Sequence, residues 1–176
     1  MDLSEPTSSG SEDPTDFSKQ RLHLERTLVS TLNSSDLNPD GTGLGLPFPK
    51  ILCLAVLLYN FCHLRRYSIR GPVARLLQSR LIDALLQMQG ASLLEQLPTN
   101  DAAALLWASV MSITHSSMND LRVEAVANIV CELICNLRLR NLEEVETHLR
   151  SVVWTNDMWT DRLMEIAEET WREMYK

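Results

Sequence analysis

Between Leu142 and Met174 the chain carries two apolar stripes that only helices can align. Leu142, Val145, Leu149, Val152 and Val153 recur at i, i+3, i+7, i+10 and i+11. After a break at Thr155, Asn156 and Asp157 a second set follows: Trp159, Leu163, Ile166, Ala167, Thr170, Trp171 and Met174. With 3.6 residues per turn, each set gathers on one face of its helix. Neither helix can bury its own stripe, so both need the rest of the chain as a partner. Prolonged strand-like alternation is absent elsewhere, and the expectation is an all-α fold, a helical bundle of about six helices with a disordered N-terminal tail.

The upstream chain supplies the partners. Residues 1–17 are mostly Ser, Glu, Asp, Pro and Thr with little to bury, and read as the tail. Residues 18–49 combine a weak helix, with Leu24, Leu28 and Leu32 at four-residue spacing, and a Gly/Pro-rich linker from Asn33 to Pro49. The compact all-helical domain is expected over 50–176. Its first helix, Ile51 to Cys62, is the most apolar run; at twelve residues it would span only about 18 Å, short of a membrane's hydrocarbon core. Gly71-Pro72 starts the next helix, whose Leu77, Leu81, Ala84 and Met88 share one face while Ile82 and Leu86 oppose them, so it should be covered from two directions. Thr99, Asn100 and Asp101 are suited to cap a helix that is apolar nearly all round, the expected centre of the bundle, with Trp107 as its largest anchor. A further helix runs from Asn119 to Leu139 and closes on Arg138, Arg140 and Asn141.

Charge and chemistry narrow the function. The formal charge is −7, yet six cations and no acid lie between Gly41 and Ile82, and nine acids against four bases lie between Asn141 and Lys176. The two regions are expected to compensate each other across the surface, or to offer an acidic face to a partner. An acidic protein is not drawn to DNA by its overall field. Arg65, Arg66 and Arg70 lack the interleaved aromatics of a nucleic-acid patch beyond Tyr67. Cys131 and Cys135 have the spacing of half a zinc site, but no second pair exists; His115 and His148 stand alone. Without a secretory signal, the four cysteines are expected to be free thiols in a reducing compartment. No nucleophile elbow, phosphate cradle or dinucleotide fingerprint occurs, and the carboxylate pairs Glu143–Glu144 and Glu168–Glu169 sit on polar helix faces. The expectation is a non-enzyme with no cofactor and no metal.

Four segments carry a family resemblance: LLWASVMS at Leu105 to Ser112, Arg122 near the start of a long helix, LRLRNLEEV, and the pair VVW at Val152 to Trp154 with TWREM at Thr170 to Met174. In this order Gly71 to Met174 resembles the C-terminal part of the fungal-specific transcription factor regulatory domain, the all-helical region of fungal binuclear zinc-cluster regulators. The six closely spaced cysteines of the zinc cluster are absent, as is the larger upstream part of that domain. The resemblance therefore implies a truncated or stand-alone regulatory module, or a fragment of a longer regulator. It implies a nuclear location and action through protein contacts, with a protein partner or a homodimer and without direct DNA binding. Apart from the resemblance, a location in the cytoplasm, without secretion or membrane insertion, is expected. Trp107, Trp154, Trp159 and Trp171 would anchor the core or a shared interface. The rival expectation is a helical scaffold or small-molecule-binding bundle unconnected with transcription.

Overall fold

The computed structural model describes residues 14–35, 48–65, 71–90, 94, 97–114, 121–153 and 161–174. Among them are seven α-helices and no strand: α1 (Pro14–Ser35), α2 (Phe48–Tyr59), α3 (Pro72–Gly90), α4 (Thr99–Thr114), α5 (Leu121–Asn136), α6 (Leu142–Val152) and α7 (Asp161–Met174). A π-helical turn, Asn60–Leu64, continues α2. The all-α expectation holds. Residues 1–13 of the expected tail lie outside the described residues, and α1 begins at Pro14, ahead of the weak helix expected from Ser18.

The centre is α4, which touches α2, α3, α5, α6 and α7. Every residue from Leu105 to Ile113 is buried, as an all-round apolar helix requires. Three of these residues are Ala108, Ser109 and Ser112, whose short side chains let neighbouring backbones approach. The polar cluster expected as a cap lies inside the first turn of α4, where Asp101 faces the positive end of the helix dipole; the first backbone bond runs from Ala102 to Pro98 O at 2.9 Å.

Around this centre the stripes fall as their spacing dictates. On α3, Leu81, Ile82, Ala84, Leu85 and Met88 are buried between α2, α4 and α5, which is the expected double covering. On α6, Val145 and Leu149 are buried, but Val153 is exposed and already extended, so the stripe ends at Val152. On α7, Leu163, Ile166, Ala167 and Thr170 are buried and Trp171 is half-buried; Trp159 lies outside the described residues. No described helix is long and apolar enough to cross a membrane.

The α5–α6 corner is made by capping rather than by a long helix end. Arg138 takes a left-handed φ of 55°, which lets Leu139 N reach Ile134 O at 3.0 Å and Arg138 N reach Cys135 O at 3.0 Å. These two bonds form a Schellman motif, and the residue after the left-handed one, Leu139, is buried as that motif prefers. Asn141, expected to close α5, instead opens α6: its side chain accepts from Glu144 N at 2.9 Å, while Glu144 accepts from Arg140 N at 2.7 Å. The arrangement resembles a capping box shifted by one residue, since Glu144 takes the backbone N–H before the cap rather than that of Asn141 itself.

Arg138 holds a conformation that costs a non-glycine residue about 1–2 kcal/mol. Arg138→Gly should therefore raise stability by roughly 1 kcal/mol, read as a higher urea midpoint with an unchanged slope.

Candidate functional site

The most unusual local geometry lies where α2 ends. The backbone there opens into the π turn, with Arg65 N bonded to Asn60 O at 2.9 Å. Such turns widen a helix by one residue and recur at functional positions. Here the turn brings Asn60 and Arg65 to the same carboxylate, Glu25 of α1. Asn60 Nδ2 donates to Glu25 Oε1 at 2.5 Å, and Arg65 Nη2 donates to Glu25 Oε2 in an ion pair. Burial makes this cluster consequential. Asn60 is 3% exposed, and the Glu25 and Arg65 side chains are 13% and 22% exposed. The Arg65 guanidinium also lies 5.5 Å from the centroid of the Phe61 ring.

Arg21, Glu25, Leu28 and Leu32 are half-buried at i, i+4, i+7 and i+11, and they form the docking face of α1. Leu24, expected on that face, is exposed instead. Half of the docking face is therefore ionic, and no described α1 residue is fully buried. With both its oxygens held by donors, Glu25 acts as a clamp between α1 and the end of α2. The sequence carried two signals for it: Asn60 interrupts an apolar run, where a polar side chain needs a partner, and Glu25 stands at helical spacing from Leu28 and Leu32.

Next to the clamp, Tyr59 stacks on His63 with ring centroids 5.1 Å apart and meets Trp107 at 6.1 Å and 58°. Trp107 is buried, and its Nε1 finds no hydrogen-bond partner among the described residues. It is a core anchor. Trp171 is half-buried, and its Nε1 donates to Leu139 O at 2.9 Å, tying α7 to the corner after α5. Trp154 and Trp159 lie outside the described residues, so two of the four expected anchors have an observed place.

The remaining candidates separate. Arg65 pairs with Glu25 of α1, while Arg66 and Arg70 lie outside the described residues, as does His115. Arg122 reaches Asp83 and Ser79 of α3, both at 3.2 Å, and Arg150 pairs within α6 with Glu146. The cysteines are free thiols: Cys53 and Cys62 are buried, Cys131 is half-buried and Cys135 is exposed. Thr170 Oγ1 lies 3.0 Å from Cys131 Sγ and 2.7 Å from Ile166 O, so this hydroxyl joins α7 to α5. Among the described residues no group of three or more His, Cys, Asp or Glu is placed to hold a metal ion.

Glu25→Ala should strand Asn60 Nδ2 and remove the ion pair of Arg65, at a cost of about 1–3 kcal/mol. Because α1 docks mainly on α2, amide exchange should accelerate in α1 and leave α4 protected. Equal acceleration in both helices would show that the clamp supports the whole bundle instead.

Burial pushes the Cys53 and Cys62 thiols above the ordinary value of 9.0. In the unfolded chain they ionise at that ordinary value, so the folded state binds more protons above it. The stability from keeping both neutral is complete below pH 9.0 and is lost as pH rises beyond it. Urea midpoints measured from neutral to alkaline pH should fall more steeply for the wild type than for Cys53→Ala/Cys62→Ala.

No family model matches the chain, and no curated protein or solved structure matches it either.

Proposed function

We propose that this chain is a non-enzymatic helical module, related to fungal transcriptional regulators, that acts in the nucleus through protein contacts. The observation that carries the reading is how the reactive side chains are used. Glu25, Asn60 and Arg65 fasten α1, Arg122 and Asp83 join α5 to α3, and Thr170 and Cys131 join α7 to α5. In each case a group capable of chemistry is engaged in holding one helix against another. At the surface, Leu22, Leu24 and Val29 of α1 stay exposed, an apolar investment that suits contact with another protein. The resemblance of Leu105–Ser112, Arg122, Val152–Trp154 and Thr170–Met174 to the fungal regulatory domain gives the transcriptional direction.

A second reading, a small-molecule-binding bundle, rests on Trp107 Nε1 and Ser109 Oγ. Both are buried on α4 without a partner among the described residues; two positions apart they lie on opposite sides of the helix, so a small polar ligand reaching either would gain a hydrogen bond there.

The two readings part experimentally. Tethered to a promoter through a heterologous DNA-binding segment, the chain should change reporter output severalfold. Output equal to that of the DNA-binding segment alone would sink the transcriptional reading. A metabolite panel should leave the Tm unchanged; a saturable rise with one compound would move the assignment to the second reading.

A further inference from the structure

Besides its docking face, α1 carries a second stripe. Lys19, Leu22, Arg26 and Val29 recur at i, i+3, i+7 and i+10, about 110° round the helix from the residues that face α2. All four are exposed, Leu22 at 43% and Val29 at 46%. Neither cation is in an ion pair among the described residues; Glu25, the acid beside Arg26 in the sequence, is turned inward to Asn60 and Arg65. The alternating steps of three and four residues match the spacing at which a helix laid alongside would meet these side chains, with cations at every second position.

We propose that this stripe docks an acidic amphipathic helix of a partner protein, with apolar side chains against Leu22 and Val29 and carboxylates opposite Lys19 and Arg26. The inference rests on the reading of the chain as a protein-contact module and names the partner's chemistry. Charge decides the occupant. An apolar helix would cover two cations without neutralising them, which is costly. A second copy pairing through the same stripe would bring four cations together with no acid among them. A membrane surface calls for a broad apolar face, whereas this stripe offers two apolar residues, bordered outward by His23, Thr27 and Ser30. A helix with acids at the seam satisfies both components of the stripe.

The test uses the full chain and a fluorescein-labelled synthetic helix with leucines at its seam positions and glutamates flanking them. Anisotropy should show saturable binding in roughly the ten-micromolar range that weakens as salt is raised. Lys19→Glu/Arg26→Glu should weaken binding about tenfold or more, and a peptide with lysines in place of the glutamates should recover it. Leu22→Ser/Val29→Ser should weaken binding of both peptides. All four positions are exposed, so circular-dichroism melts of the variants should match the wild type. The proposal is overturned by no saturable binding to a wild type that melts normally, or by equal binding to the charge-reversed variant. It is equally overturned by a dimer in sedimentation that the charge reversal dissolves, or by association with phosphatidylserine vesicles in place of the peptide. Any of these removes the seam alone, because the wider reading stands or falls on the reporter outcome.

Discussion

A helix apolar on every side has to be wrapped, and wrapping α4 accounts for most of this architecture. Five helices lie against it, and each reaches it with the stripe its own sequence provides: α3 while also packing on α2 and α5, α6 and α7 with narrow faces. The small residues Ala108, Ser109 and Ser112 set how closely they come. Polar groups inside that wrapping are few: Trp107 Nε1 and Ser109 Oγ have no partner among the described residues, and Ser112 and Gln78 are bonded within it. Ser112 Oγ returns its proton to Ser109 O at 2.7 Å, and Gln78 Nε2 reaches across from α3 to Ser112 O at 2.8 Å. Hydrophobic burial holds the centre, and the hydrogen bonds that cross it fix which helix meets which.

The attachment of α1 obeys a different balance. Its docking face is half ionic, so its position depends on one carboxylate finding two donors. The π turn makes that geometry available. An uninterrupted α-helix would bond Arg65 N four residues back; the five-residue bond to Asn60 O rotates the end of α2 and brings Asn60 and Arg65 to one partner. Contacts of this kind are directional and lose more from a small misplacement than an apolar contact does. They specify where α1 sits more than they add to the stability of the bundle.

What the sequence made legible follows from this contrast. Stripes at helical spacing lead directly to buried residues: Leu81 and Met88, Val145 and Leu149, Leu163, Ile166 and Ala167 are where the pattern puts them. Trp107 was legible because nothing around it on α4 is polar enough to face water. The ends were not. Helix α5 stops at Asn136 through a left-handed arginine, where propensity would ask for glycine, and Asn141 belongs to the next helix. The clamp's members were signalled singly, but their pairing was hidden for another reason. Glu25 and Arg65 are forty residues apart, and an acid on a weak helix is ordinarily solvated; only the tertiary meeting of α1 with the π turn makes them partners. The same meeting displaced Leu24 from the face its spacing had suggested.

That displacement bears on how α1 can work. With Arg21, Glu25, Leu28 and Leu32 turned inward, Leu22 and Val29 fall to one flank and Leu24 to the other, so the apolar sector of α1 is wider than the strip α2 covers. A shallow helix held by a directional clamp keeps a fixed rotation about its own axis, and the rotation determines which residues form its flank. Were α1 held by apolar contact alone, turning it by one position would bury Leu24 and return Glu25 to water at little cost. The clamp excludes that alternative, because Glu25 in water takes the acceptor from Asn60 Nδ2 and breaks the ion pair with Arg65. A buried polar contact therefore sets the composition of an exposed surface: Glu25 faces inward, and Lys19 and Arg26 are left beside Leu22 and Val29 on the outside.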